Sequence, residues 1–286
     1  MAWVIVSFLL ALLLFWMVGA HNRIMRLRGE VARQWGIADV IWLKWLMRFQ
    51  GAISARQILA WASEAQDLQA LQDDSFANPG LFWVEQGARL WQAGSSEQRA
   101  CASCHGDATQ SMRGVAARYP AFDGRAQQVI NLEQKINQCR QQHQQTSPWV
   151  YESRELLSMT AYLSMQSRGM PVNVRIDGPA RDSFARGRQA YERRRGQLDM
   201  SCVGCHVERA GSRLRGDVIS QGQINGHPVY RLTWQTLGST HRMFAWCDEA
   251  VRAEPYPLGS QAYVDLELFV KWLGRGLPVE TPGVRR

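Results

Sequence analysis

The sequence predicts a mostly α-helical protein built from two related halves and preceded by an N-terminal hydrophobic helix. The prediction rests on three features that occur twice in the 286 residues. A C-x-x-C-H motif lies at Cys101–His105 and again at Cys202–His206. A helix-like segment with a central glycine precedes each motif, and an R-G-x-P-V tail closes each half. Such internal matches indicate duplication of one domain.

Each C-x-x-C-H motif is typical of covalent haem c attachment. Two thiols on one helical turn reach the two vinyl groups of a porphyrin, and the adjacent histidine becomes an axial ligand of the iron. A single motif could instead be a zinc or redox site, but two copies with matching surroundings favour two haem c groups. The predicted anchors and iron ligands are Cys101, Cys104 and His105 for the first haem, and Cys202, Cys205 and His206 for the second.

Two of the six cysteines are left over, Cys139 after the first motif and Cys247 after the second. A Cys139–Cys247 disulfide is one interpretation, which an oxidising compartment would allow. One spare cysteine per motif is better explained by a thiolate on the far side of each iron, because axial ligands tune haem reactivity. Methionines and histidines that do not recur in both halves are weaker alternatives; they include Met112, Met159, His143, His227 and His241.

Composition limits the partners. The net charge is +8 and the pI is about 9.5. The arginines are dispersed and form no basic tract of the kind that marks nucleic-acid binding. An anionic partner or substrate is therefore expected, and no nucleic acid.

The N-terminal region carries conflicting signals. Residues 1–20 contain no charge and are long enough for a membrane anchor or a signal peptide. Arg23, Arg26 and Arg28 follow directly, which favours a cytoplasmic downstream side, whereas haem c attachment requires export. Residues 21–75 are predicted to form a helical extension, and Gly19–Asp39, which overlaps its start, resembles the membrane-proximal helix of LemA-family proteins.

The two halves are predicted to be cytochrome c-like domains at 76–175 and 176–286, the second containing the active site. Gly87 and Gly187 lie in segments that resemble the N-terminal helix of small c-type cytochromes, where glycine lets a second helix cross closely. The joint at 171–181 contains alternating apolar residues and is expected to be packed.

Several segments together resemble the SoxA family, the dihaem subunits of the SoxAX cytochromes of bacterial thiosulfate oxidation. The matching segments are 72–80, 118–122, 237–247 and 251–255. The resemblance covers about residues 65–286 and leaves 1–60 outside. It implies an L-cysteine S-thiosulfotransferase subunit that works in the periplasm, in solution or membrane-tethered. The implied partners are a small SoxX-like cytochrome c and a SoxYZ-like sulfur-carrier protein, with thiosulfate as substrate.

The resemblance also implies roles for particular residues. The family's cysteine at the position of Cys247 is both a haem ligand and the site of a persulfide, and the one at Cys139 ligates the other iron. An arginine shortly before the reactive cysteine binds substrate, for which Arg242 is the nearest candidate here. Arg242 and Arg252 would make the site electropositive toward the thiosulfate dianion. The alternative from another class is a dihaem electron-transfer cytochrome without substrate chemistry; a dihaem peroxidase is third.

Overall fold

The structure is a computed structural model that describes residues 67–94, 99–214 and 217–286. All of these belong to one unit, Ile53–Arg286. The predicted hydrophobic helix at 1–20 and most of the predicted extension at 21–75 lie outside the described residues. Within the described ranges, no helix combines the length and the apolar character that crossing a membrane requires.

Helices dominate this part of the chain, as the sequence predicts. After a helical stretch at 67–73, they are α1 (Leu81–Gln92), α2 (Cys101–His105), α3 (Ala108–Ser111), α4 (Leu132–His143), α5 (Arg154–Met165), α6 (Arg181–Glu192), α7 (Cys202–His206), α8 (Thr240–Ala250) and α9 (Gln261–Leu273). Short 3₁₀ turns lie at Ala116–Arg118 and Gly178–Ala180.

Among the residues that the structure describes, the strands are short and form three small sheets. They are β1 (Ala121–Asp123), β2 (Gln128–Ile130), β3 (Arg213–Leu214), β4 (Asp217–Val218), β5 (Val229–Arg231), β6 (Thr236–Gly238) and β7 (Gly283–Arg285). β1 pairs with β2 and β3 with β4, both antiparallel. The third sheet has the order β6–β5–β7, in which β5 is antiparallel to β6 and parallel to β7.

Each half is organised around one close helix crossing. In the first half α1 packs on α5, and a side chain at Gly87 would collide with the backbone carbonyl of Ser158. In the second half α6 packs on α9, and a side chain at Gly187 would collide with the carbonyl of Asp265. The prediction that these glycines permit close helix crossings is confirmed.

The two R-G-x-P-V tails pair with each other through reciprocal hydrogen bonds. Gly169 N–H donates to the Val279 carbonyl at 2.8 Å, and Gly276 N–H donates to the Val172 carbonyl at 2.9 Å. A second reciprocal pair joins Val279 to Met170 and Val172 to Leu277. Gly169 and Gly276 both have positive φ, 78° and 87°, which favours glycine. The tails therefore join the halves in an almost symmetrical way.

The joint that follows the first tail is packed, as predicted. Val172 and Val174 are 1% and 3% exposed. Asn173 N–H donates to the Ala117 carbonyl at 2.8 Å, which ties the joint to the first half.

The beginning of the described chain is fixed to its end. Gln72 is buried, and its Oε1 accepts from Val284 N–H at 3.2 Å and from Arg285 Nη1 at 2.7 Å. Asn78 Nδ2 donates to the carbonyls of Gln72 and Pro282. The segment before α1 thus packs on the C-terminal strand rather than on its own half alone.

Candidate haem and cysteine sites

The first C-x-x-C-H motif forms the single turn of α2. Cys101 is half-buried, whereas Cys104 and His105 are exposed. The ring of Trp91, from α1, lies 5.7 Å from the His105 ring, and its Nε1 donates to the Gly106 carbonyl at 3.0 Å. The α1–α5 crossing therefore positions the motif through a buried tryptophan.

The first spare cysteine lies close to this motif. α4 begins with a capping box made by Asn131 and Gln134, and it carries the half-buried Cys139 just before its last turn. Burial raises the pKa of Cys101, and a charge on Cys139 would raise it further. Gln144, just past α4, directs Nε2 toward Cys101 Sγ at 3.6 Å. The structure therefore brings Cys139 to the first motif.

The second motif forms α7, which Ser201 caps by accepting from Gly204 N–H at 3.2 Å. His206 Nδ1 donates to the Ser220 carbonyl at 2.8 Å. Gly222 has φ of 73°, and a Cβ there would lie 2.8 Å from His206 Cγ, so its backbone lies directly against the ring. With Nδ1 committed, Nε2 is the nitrogen available for a metal, an orientation that metal-ligating histidines commonly show.

The second spare cysteine is on α8, whose N-terminus Ser239 caps. Burial raises the pKa of Cys247 to about 12, and charges on Cys202 and Asp248 contribute in the same direction. A thiolate at Cys247 therefore requires a strong local cation. A bound metal ion deprotonates a coordinating thiol and supplies that charge.

A network of polar side chains fixes the end of α8 beside Cys247. Arg195 Nη1 lies 2.7 and 2.8 Å from the two carboxylate oxygens of Asp248, and Tyr263 OH donates to Asp248 Oδ2 at 2.8 Å. Arg195 Nη2 also donates to the Glu254 carbonyl at 2.6 Å, which orders the chain after the helix.

None of the six cysteines forms a disulfide in the structure. Cys139 is close to Cys101 and Cys104, because a charge on one of these thiols affects the pKa of another. Cys247 is close to Cys202 and Cys205 for the same reason. The structure therefore does not contain the Cys139–Cys247 disulfide that the sequence allowed. Each half instead combines two thiols and a histidine on one turn with a further sulfur from another helix. This donor set fits haem c with a histidine and a thiolate as axial ligands.

The weaker ligand candidates have other environments. Met159 is 1% exposed in the core of the first half. His241 Nδ1 accepts from Gly259 N–H at 3.0 Å and its Nε2 faces Glu267. His143 is exposed at the end of α4. Burial, with nearby cations, lowers the pKa of His227 to about 3, so its imidazole is neutral.

Arg242 lies on α8 but is directed toward the first half. Its Nη1 lies 3.8 Å from Glu152 Oε2, and its Cζ lies 4.3 Å from the ring centroid of Trp234. Five positions along a helix correspond to a rotation of about 140°, so Arg242 and Cys247 project from different faces. Arg252 is an exposed residue beyond the end of α8.

The sequence analysis missed three groups that shape the sites. Ser220 orients His206, Arg195 orders the end of α8, and the positive charge of Arg231 partly opposes the rise in the pKa of Cys247. No motif marks any of them, because each reaches its position through a loop or strand and not through the helical turns that carry the cysteines.

The helical crossings and the two C-x-x-C-H turns define the molecule as a c-type cytochrome. A family model described as the SoxA/TsdA cytochrome c domain matches residues 86–172. The L-cysteine S-thiosulfotransferase subunit SoxA of Rhodovulum sulfidophilum is 42% identical over 226 residues, 79% of each chain. That of Pseudaminobacter salicylatoxidans is 39% identical over 228 residues, 79% of this chain and 80% of the relative.

A solved structure agrees with the sequence matches. The crystal structure of SoxXA from P. pantotrophus contains a chain with a TM-score of 0.75 and 38% identity; the match covers 77% of this chain and 84% of that one. This chain belongs to the SoxA family. The resemblance to LemA proteins falls on residues outside the described ranges.

Proposed function

We propose that this chain is the SoxA-type haem subunit of an L-cysteine S-thiosulfotransferase, which joins thiosulfate to a cysteine of a sulfur-carrier protein. The names of the relatives support this activity. The observation that carries the proposal for this chain is Cys247, a sulfur held beside the second C-x-x-C-H turn by the Arg195–Asp248 network.

The reaction forms one S–S bond and breaks one S–H bond. Thiosulfate and a carrier thiol give carrier–S–S–SO₃⁻, one proton and two electrons. A bound haem would accept one electron at a time, and an acceptor outside this chain would then receive both electrons. The residues of this chain hold the sulfur of Cys247 in place and bind the anionic substrate. The electropositive composition favours both thiosulfate and an acidic carrier surface.

Two haem c groups, each covalently attached, are part of the proposal. Cys101 and Cys104 would anchor the first, with His105 and Cys139 as iron ligands. Cys202 and Cys205 would anchor the second, with His206 and Cys247 as iron ligands. The proximity of each spare cysteine to its own motif supports this assignment.

We also propose that the two halves, 76–175 and 176–286, arose by internal duplication. The equivalent glycines of the two helix crossings and the reciprocal pairing of the two tails support this origin. If one ancestral domain was duplicated, both copies inherited the same contacts at equivalent positions, and no contact had to evolve twice.

The partners follow from the family. A complex that pairs the related chain with SoxX has been crystallised, and we propose a small SoxX-like cytochrome as the partner of this chain. A SoxYZ-like protein would be the carrier. Because haem c is attached outside the cytoplasmic membrane, we propose that the described domains lie in the periplasm, after cleavage near residue 20 or with residues 1–20 as a membrane tether. The mass of the mature protein distinguishes the two: a start near His21 supports cleavage, and an intact Met1 supports a tether.

The decisive experiment replaces Cys247 with serine and measures thiosulfate-dependent electron release by the complex with its small cytochrome and carrier. Arg175→Gln, at an exposed residue whose ion pair is with Asp177, is the control. The proposal expects Cys247→Ser to abolish turnover and Arg175→Gln to retain it. Thiosulfate-dependent turnover in Cys247→Ser would contradict the proposal and support a plain electron carrier.

A further inference from the structure

Glu152 belongs to the first half, where it lies in the tight turn that leads into α5. Ser153 N–H donates to the Val150 carbonyl at 3.0 Å, which makes Glu152 the third residue of this turn. Its φ is 63°, in the left-handed region that glycine or asparagine normally occupies at this position. Strain of this kind persists only where the surrounding structure requires it. A glutamate in this conformation therefore indicates a role for its side chain.

The side chain of Glu152 reaches the N-terminus of α8 in the second half. Its Oε1 accepts from Ser239 N–H at 3.2 Å, and Ser239 is the N-cap residue of α8. Its Oε2 is buried without a hydrogen-bond partner and lies 3.8 Å from Nη1 of Arg242, in the first turn of the helix. A carboxylate at this end of a helix also interacts favourably with the helix dipole. Glu152 thus adds a second cap to the one that Ser239 supplies.

Tyr151 holds the same turn of α8 from another direction. Its ring stacks on the ring of His241, with centroids 5.6 Å apart and planes inclined by 6°. Its hydroxyl donates to Asn131 Oδ1 at 3.0 Å, so the tyrosine is itself fixed within the first half. Ser153, on the other side of Glu152, caps α5, most of whose residues are buried. Two consecutive residues on a rigid base therefore fix the first turn of α8.

α8 is held at both of its ends, and Cys247 lies near the far one. At the C-terminal end the anchor is the contact of Arg195 with Asp248, both from the second half. At the N-terminal end the anchor is Glu152, from the first half. Cys247 is eight residues after Ser239, which corresponds to about 12 Å along a helix axis. A change in tilt at the first turn therefore moves the sulfur of Cys247 relative to the second C-x-x-C-H turn.

We propose that Glu152 is a positioning residue for Cys247: its side-chain oxygen holds α8 in the tilt that places the sulfur beside the second C-x-x-C-H turn. This inference rests on the proposed function for the role of Cys247 as iron ligand and reactive sulfur. It gives the first half a part in the chemistry of the second site that does not depend on electron transfer through the first haem.

The test uses two variants of Glu152 that separate the reach of its oxygen from the strain of its backbone. Glu152→Gln keeps an acceptor oxygen at the same distance. Glu152→Asn suits the positive φ, but it is one methylene too short to reach Ser239 N–H. Glu155→Gln, at an exposed residue in the first turn of α5, is the control. All variants are measured as the holoprotein in complex with its small cytochrome.

The first measurement is electron paramagnetic resonance of the oxidised protein, in which Cys247→Met identifies the signal of the second haem. Glu152→Asn is expected to shift or broaden this histidine/thiolate signal and to leave that of the first haem unchanged. Glu152→Gln and Glu155→Gln should keep both signals. An unchanged second-haem signal in Glu152→Asn, or an equal change in the first haem, would overturn the inference. Equal changes in Glu152→Gln and Glu152→Asn would also overturn it, because the length of the side chain would then not matter.

The second measurement is turnover with thiosulfate and the carrier protein. Glu152→Asn should lower kcat about tenfold or more, because a slightly misplaced reacting group costs large factors in rate. KM for thiosulfate should stay close to that of the unmodified protein. A loss confined to KM would show that Glu152 acts on substrate binding and would contradict a positioning role.

Two further variants keep the result interpretable. If Glu152→Asn does not fold, Glu152→Gly takes its place, since glycine adopts a φ of 63° without strain and has no side chain to reach α8. Cys247→Ser separates this inference from the proposed function. If Cys247→Ser retains turnover, the proposed function fails, and the spectra of the Glu152 variants still decide the positioning role.

Discussion

The imidazole Nε2 of His241 lies 3.0 Å from Oε2 of Glu267, and both side chains are almost completely buried. Gly259 N–H donates to His241 Nδ1, so the ring proton is on Nε2 and faces the Glu267 carboxylate. The angle between Nε2 and this carboxylate does not meet the geometry of a hydrogen bond. Asn131 Nδ2 also donates to Glu267 Oε2, at 3.1 Å, and Tyr151 OH donates to Asn131 Oδ1 at 3.0 Å.

This group joins the two halves of the molecule. Asn131 and Tyr151 come from the first half, and His241 and Glu267 from the second. The Tyr151 ring stacks on the His241 ring, with centroids 5.6 Å apart and planes inclined by 6°. Lys271, one turn after Glu267 on α9, is buried as well. The orientation of α8, which carries Cys247, thus depends on contacts with the first half.

Glu267→Ala should destabilise the protein by about 3 kcal/mol, because removing one member of a buried charged group leaves the others without compensation. Denaturant unfolding of the holoprotein measures the change. Asp177→Ala, which removes an exposed partner of Arg175, is the control and should leave stability almost unchanged, because solvent screens exposed ion pairs. If Glu267→Ala lowers the free energy of unfolding no more than Asp177→Ala does, the buried group does not stabilise the protein.

Glu133 should make stability decrease with rising pH. Burial, with the nearby charge of Glu267, raises its pKa from 4.5 to about 8, while the charge of Lys271 opposes the shift. The native carboxyl keeps its proton after the unfolded chain has lost it, so the native state binds more protons between these values. The free energy of unfolding then falls as pH rises from about 4.5 to about 8.

Glu133→Gln should flatten that pH dependence and stabilise the protein at pH 8 by more than ~1 kcal/mol. Glu155→Gln is a matched control, since Glu155 is also in the first turn of a helix but is exposed. Unfolding curves across this pH range measure both. A slope that persists in Glu133→Gln would assign the pH dependence to another group.

The glycines at the two helix crossings should be intolerant of alanine. A methyl group at Gly87 or Gly187 meets backbone carbonyls, which cannot move aside as a flexible side chain does. Overpacking of this kind costs about 2 kcal/mol or more in each half. At Gly124 a Cβ would have no atom within 4 Å, so Gly124→Ala should be neutral in thermal unfolding. A neutral Gly187→Ala would show that the crossing can widen.

Axial ligation is testable by electron paramagnetic resonance of the oxidised protein. Low-spin signals of histidine/thiolate coordination are expected from both haems. Cys139→Met should remove the thiolate signal of one haem and leave the other, because each spare cysteine lies with its own motif. A spectrum unchanged by Cys139→Met would refute Cys139 as a ligand.

Much of the proposed site chemistry was predictable from the sequence alone. Cys101–His105 and Cys202–His206 contain their predicted haem-attachment residues within five consecutive positions, so one helical turn brings them together whatever surrounds it. The glycines at 87 and 187 likewise predicted close helix crossings, because the absence of a Cβ has a direct steric consequence. The helical class followed from these same segments.

Tertiary structure decided which side chains reach the face of α8 that carries Cys247. Arg242 is near Cys247 in sequence, but the helical rotation and Glu152 take it elsewhere. Arg231 is distant in sequence, yet the register of β5 between β6 and β7 brings it to Met243 and Trp246. His241, a candidate ligand by residue type, became a buried partner of Glu267. Strand register and burial depend on remote segments of the chain, and local sequence patterns do not specify such long-range pairings.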